Sequence, residues 1–160
     1  MSTKNLSELN ASSLPDAGNM RIALVVSAWN SEITESLFEA AWSTLLSAGC
    51  PKENITRHDV PGSFELPLGA KWALDAHNPD AVICIGCVIR GETSHFQFIC
   101  DSVAHGIMQL QIHYGIPVTF GVLTTENLQQ AMDRAGGKHG NKGVEAAATA
   151  IQMVDLKKKV

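Results

Sequence analysis

A chain of 160 residues with a formal net charge of −4 and 45% hydrophobic residues is sized for one domain with a substantial core. It has no basic stripe, which argues against nucleic acid as a partner, and no apolar run reaches the roughly 18 residues that a membrane span needs. Four scattered cysteines, Cys50, Cys84, Cys87 and Cys100, are too few for a disulfide scaffold.

Residues 1–20, rich in Ser, Asn and Leu without a period, read as a flexible arm preceding a single domain over residues 21–160. The arm has no apolar leader and a single cation, Lys4, so a cytoplasmic protein is expected. Arg21 to Ser27 is a compact buried-strand run, after which Asn30 or Ser31 should cap a helix with apolar positions at Ile33, Leu37, Ala40, Ala41 and Leu45. Gly49 and Pro51 close that helix, and Asn54 to Val60 follows as a strand of mixed polarity suited to a sheet edge. The turn Pro61-Gly62-Ser63-Phe64-Glu65-Leu66-Pro67 leads into a second helix, from about Leu66 to His77, which Asn78-Pro79 ends.

The next stretch organises the rest. Ala81 to Ile89 is an uncharged run of β-branched and small residues, the pattern of a strand buried on both faces. Cys84 and Cys87 within it spell C-x-x-C, but strand side chains three apart point to opposite faces, so they read as buried hydrophobes and no metal site is expected. Arg90-Gly91-Glu92-Thr93-Ser94 then supplies a glycine and two hydroxyls before a helix that runs to about His113. A helix start of this kind offers free N–H groups to an anion, and His95 stands in its first turn, a side chain type that moves protons near neutrality.

Val118 to Leu123 reads as a fourth strand, and Thr124-Thr125 as the cap of a helix through Arg134. A glycine-rich turn from Gly136 to Asn141 separates this from a last, Ala-rich helix ending in lysines. Strand and helix thus alternate four times, which predicts an α/β three-layer sandwich: a four-stranded parallel, flavodoxin-like open sheet with helices on both faces. Ligands of such sheets bind beyond the carboxyl ends of the strands. The first strand is not followed by G-x-G-x-x-G, Asn141-Lys142 stands where a P-loop needs Gly-Lys, and Ser27 to Asn30 lacks the acidic residues of a phospho-receiver.

What remains at the strand ends is a flat Trp29, an acceptor at Glu65, peptide groups at Cys87 to Ile89, and Thr93 with Arg134 for a phosphate. Each has an ordinary reading too: Trp29 as packing, Glu65 as a solvated or capping carboxylate, His95 as a surface residue, Arg134 as a helix-dipole complement. Together they suggest a polar aromatic ring plus a phosphate, with His95 moving protons.

Four segments stand in the order and spacing of one enzyme family, and on them the chain resembles the lumazine synthases of riboflavin biosynthesis. They are Pro61 to Pro67, Gly86-Cys87-Val88-Ile89-Arg90-Gly91-Glu92-Thr93-Ser94-His95-Phe96, Phe120 to Thr125, and Arg134 to Gly143. The resemblance implies a transferase, without cofactor, that condenses 5-amino-6-(D-ribitylamino)uracil with 3,4-dihydroxy-2-butanone 4-phosphate. It assigns Trp29 to ring stacking, Ser63, Phe64 and Glu65 to the ribityl chain, and Cys87, Val88 and Ile89 to the uracil. Phe120 closes the ring pocket, Glu92, Thr93 and Arg134 take the phosphate, His95 moves the proton, and Lys142 is a further ring or phosphate contact. Glu92 departs from the pattern, since an anion beside phosphate serves only if it points away. The resemblance also implies a homopentamer with Phe120 and Arg134 coming from the neighbouring subunit. The short turn before the last helix points to an icosahedral shell of pentamers, with riboflavin synthase as a candidate cargo. The competing readings are a flavin-binding module and a structural shell protein of the same fold without catalysis.

Overall fold

The computed structural model describes residues 14–160. Four strands, β1 (Ile22–Ser27), β2 (Ile55–Val60), β3 (Ala81–Ile89) and β4 (Val118–Thr125), form one parallel sheet in the order β2-β1-β3-β4. The two central strands are the two continuous apolar runs, and nearly every residue of β1 and β3 is buried. β2, whose Thr56, Arg57 and His58 stay half-exposed, takes an edge as its polarity predicts.

Helices α1 (Ser31–Ser47) and α5 (Lys142–Lys157) cover one face, and α2 (Leu66–His77) and α3 (His95–Tyr114) the other. The result is the expected three-layer, flavodoxin-like α/β sandwich. The two faces claim alternate residues of β3, so Cys84 lies in the α2/α3 core and Cys87 in the α1/α5 core. α1 and α5 cross so closely that a Cβ on Gly143 would run into the carbonyl oxygen of Leu37. Among the described residues no helix is long and apolar enough to cross a membrane.

Residues 1–13 of the expected arm lie outside the described residues. Residues 14–20 pack on the body: Ala17 and Met20 are buried in the α1/α5 core, and the Ala17 N–H donates to the Ala48 carbonyl at 2.8 Å.

Four local expectations are corrected. Thr124 and Thr125 do not cap a helix but end β4, because Val88 and Ile89 remain available to pair with them. The helix that follows, α4, is only Leu128–Met132, capped by Asn127, whose side chain accepts the Gln130 N–H at 3.0 Å. The glycine-rich turn holds a small hairpin, β5 (Ala135–Gly137) and β6 (Gly140–Asn141), docked on α1. Ser36 Oγ donates to the Ala135 carbonyl at 2.6 Å, and Asn141 Nδ2 to the Ser36 carbonyl at 3.2 Å. Asn30 precedes α1 in the left-handed region, at φ 58°, and spends its side chain elsewhere.

Candidate active site

The sheet has a step at its carboxyl end. β1 pairs with β3 as far as Val26 opposite Ile85 and stops at Ser27, whereas β3 continues beside β4 until Ile89 faces Thr125. Cys87, Val88 and Ile89 therefore overhang the β1 tip by about 10 Å at ~3.3 Å per residue. Peptide groups along a strand alternate between its two neighbours. The Arg90 N–H donates to the Thr125 carbonyl on the β4 side, so the peptides of Cys87 and Ile89 face the missing β1 rung. Asn30 reaches across and donates its Nδ2 to the Cys87 carbonyl at 3.0 Å, tying the loop after β1 to the overhang.

The turn after β2 lays the floor. Ser63–Glu65 form a single 3₁₀ turn, closed by the Gly62 N–H donating to Glu65 Oε2 at 3.1 Å. Gly62 lets Trp29 and Glu65 close up here, since a Cβ would come to 3.0 Å from Trp29 Cε3 and 3.1 Å from Glu65 Oε2. Trp29 is thereby backed by the turn on one side while remaining 69% exposed, an indole held against the protein with surface left for a flat ligand. Phe64 projects beside it at 56% exposure, and Ser63 is buried. Gly86 of β3 has no side chain, which admits Ser63 Oγ to within 2.7 Å of where its Cβ would be and Ser27 Oγ to within 3.3 Å. Ser27 Oγ has no hydrogen-bond partner among the described residues.

α3 supplies the wall. Gly106 packs on Pro67 in the first turn of α2, and His95 lies 11 residues before it, so α3 rises about 16 Å past that contact at ~1.5 Å per residue. Residues 91–95 are all exposed. Thr93 Oγ1 accepts the His95 N–H at 3.4 Å, and Gln97 and Phe98 are the first whose N–H groups find a carbonyl, that of Ser94. No backbone carbonyl takes the N–H groups before them, the situation that favours an anion. Burial pushes the Cys87 thiol up to about 11 and Cys84 to about 12, so Cys87 presents a peptide edge and not a thiolate.

Trp29, Ser63, Phe64, Glu65, Cys87, Val88 and Ile89 thus gather around the step, and Glu92, Thr93 and His95 lie on the loop and helix start that follow β3. One chain does not bring Phe120, Arg134 and Lys142 to them. Phe120 was expected at a strand tip, but β4 runs on to Thr125 and Phe120 is opposite Cys84, five residues short of the level of Ile89. That is about 16 Å down the strand, and β4 is separated from β1 by β3. Arg134 precedes the hairpin docked on α1, its Nη1 donating to the Gln130 carbonyl at 3.3 Å. Lys142 opens α5, with Nζ 2.5 Å from Glu145 Oε2. Glu145 was not singled out from sequence, although its place three residues after Lys142 in a helix start was a legible signal.

The family model described as 6,7-dimethyl-8-ribityllumazine synthase matches residues 19–158. Proteins of that same name are similar over nearly the whole chain. One from Cytophaga hutchinsonii is 54% identical over 151 residues, covering 94% of each chain. One from Parabacteroides distasonis is 53% identical over 153 residues, covering 96% of each, and one from Flavobacterium johnsoniae is 51% identical over 154 residues, 96% of this chain and 81% of its own.

Proposed function

The chain belongs to the 6,7-dimethyl-8-ribityllumazine synthase family, and from that premise we propose how its own residues perform the reaction. The enzyme is a transferase of riboflavin biosynthesis. It condenses 5-amino-6-(D-ribitylamino)uracil with 3,4-dihydroxy-2-butanone 4-phosphate to give 6,7-dimethyl-8-ribityllumazine, phosphate and water, the penultimate step of the pathway.

The step in the sheet carries the residue assignment. A pyrimidine stacked on Trp29 would turn its polar edge to the Cys87 N–H and the peptide groups of Ile89, taking the hydrogen bonds that β1 leaves unmade, while Asn30 holds the Cys87 carbonyl. The ribityl hydroxyls would lie along Ser63, Phe64 and Glu65, whose carboxylate keeps acceptor capacity beyond its bond to Gly62. Phosphate belongs at the start of α3, against Thr93 and the leading N–H groups, with the exposed Glu92 side chain turned to water. His95 stands there to protonate the leaving phosphate and to shuttle protons as the amine adds to the ketone. The nucleophile is the substrate's own amine, so no cofactor enters.

Phe120, Arg134 and Lys142 complete the site from a neighbouring subunit on this reading. Its support is that one chain leaves them on the β4 edge and beside the hairpin on α1. α3 also exposes Phe98, Met108 and Ile112, the last at 78%, near the exposed Leu68 and Trp72 of α2, an apolar face that suits burial against further copies. We infer a pentamer, and from the short Ala135–Asn141 hairpin a shell of pentamers. Riboflavin synthase, which consumes the product, is the proposed companion, and the cytoplasm, where small phosphorylated substrates are made, the proposed location.

The test is to mix the two substrates with the protein and follow the lumazine chromophore. Arg134→Ala should raise KM for the butanone phosphate about 10- to 100-fold, the worth of a charge-assisted contact, and leave KM for the pyrimidine unchanged. Equal losses for both substrates would contradict the assignment. Sedimentation in neutral phosphate should give a mass far above five chains of 17.1 kDa. Five chains alone would rule out the shell, and one chain would rule out the shared site.

A further inference from the structure

We propose that Arg90 is a positioning residue for the phosphate loop, its guanidinium joining the end of β4 to the first turn of α3 so that Gly91–Ser94 and His95 are held in one place. The inference rests on the assignment of Thr93 and His95 given above.

The loop has little else to hold it. Residues 91–94 are all exposed, and a Cβ built on Gly91 would meet nothing within 4 Å. Its two ends, by contrast, are fixed through a single side chain. The Arg90 N–H donates to the Thr125 carbonyl at 2.8 Å and its Nε to Glu126 Oε2 at 2.6 Å, which anchors Arg90 to the end of β4 and the residue after it. The guanidinium then lies 4.2 Å from the centroid of the Phe96 ring, and Phe96 is buried next to His95. Arg90 and Phe96 are the residues flanking the loop, so their stacking closes it into a ring whose only other internal tie is Thr93 Oγ1 to the His95 N–H.

Two features argue that this arrangement serves position and not phosphate charge. The ion pair is largely exposed, 40% for Arg90 and 57% for Glu126, and such pairs add little to stability. The Glu126 carboxylate also offsets the positive charge, and the face of the guanidinium is spent on Phe96. Both functions need a planar cation with a fixed fork, which lysine cannot supply.

The experiment compares KM and kcat for both substrates, and thermal unfolding, in the wild type, Arg90→Lys, Glu126→Ala and Arg134→Ala. Arg90→Lys should lower kcat/KM for the butanone phosphate about 10- to 100-fold, the scale of a small misplacement of reacting groups, with pyrimidine KM and melting temperature nearly unchanged. Glu126→Ala should shift the same parameters in the same direction by less. If Arg90 instead gripped the phosphate directly, freeing it by Glu126→Ala would tighten that substrate; that result, or an Arg90→Lys enzyme with unchanged kcat/KM, overturns the proposal. Equal damage to both substrates' KM would also overturn it, as a general loss of structure. Should Arg90→Lys fail to fold, Glu126→Gln, which removes only a surface charge, carries the same expectation. Arg134→Ala is the control: unchanged butanone phosphate KM there would overturn the phosphate-site reading itself, and the proposal with it.

Discussion

Replacing His95 with alanine should slow lumazine formation by about a hundred- to ten-thousandfold without abolishing it. On the proposed assignment the lost part is proton transfer at the leaving phosphate and in the condensation. What survives is the gathering of two reactants on one surface, which in favourable cases supplies roughly 7–11 kcal/mol of barrier lowering and does not need the imidazole. The substitution leaves the main-chain N–H that donates to Thr93 Oγ1 in place, so the loop and both KM values should change little. Single-turnover absorbance separates the two contributions. An unaltered rate would remove His95 from the mechanism, and loss of substrate binding with the rate would make it a structural residue. Because Arg134 is proposed to act across the subunit boundary, co-assembling His95→Ala with Arg134→Ala chains should recover part of the wild-type rate, as some sites then receive both native residues.

Gly143→Ala should destabilise the protein by about 3 kcal/mol, enough to deplete the folded form. The added methyl would meet the Leu37 carbonyl, a main-chain atom in the middle of α1 that cannot swing aside. It would also press on Asn141 Oδ1, 3.0 Å from the Cβ position, which accepts the Gly143 N–H at 2.8 Å and caps α5. The two helices would have to part, opening the core where Leu37 and Ala41 meet Ala147 and Ile151. Gly91, with no atom near its Cβ position, is the contrasting site where alanine is tolerated. Thermal unfolding of the two variants decides the matter, and an unshifted melting temperature in Gly143→Ala would refute the close crossing.

Most elements could be read locally. Ala81–Ile89 announces itself by composition, and α2 by a turn before it and Asn78-Pro79 after it, because burial and chain-breaking residues act over a few neighbours. What could not be read was settled at a distance. Thr124 and Thr125 suit a cap as well as a strand, and the choice fell to β3, whose last residues offered them partners. The hairpin at Ala135–Asn141 forms against Ser36, 99 residues earlier in the chain. The site divides the same way. Individual segments such as Gly86 to Phe96 were legible as motifs, whereas the step that gives them a common surface depends on one strand ending sooner than another, a matter of register that no single stretch encodes. Arg90 passed unnoticed because its significance lies in touching Glu126 and Phe96 at once.

If the overhanging peptides of Cys87 and Ile89 form the binding surface, as proposed, there is a consequence for how such a chain can diverge. The side chains of those residues turn into the α1/α5 core, away from the exposed rung, so mutation there is judged by volume and greasiness alone. On the proposed reading ligand choice is encoded in the polypeptide backbone, which substitution does not rewrite, so these codons can change among apolar residues of similar size while the chemistry stays where it was.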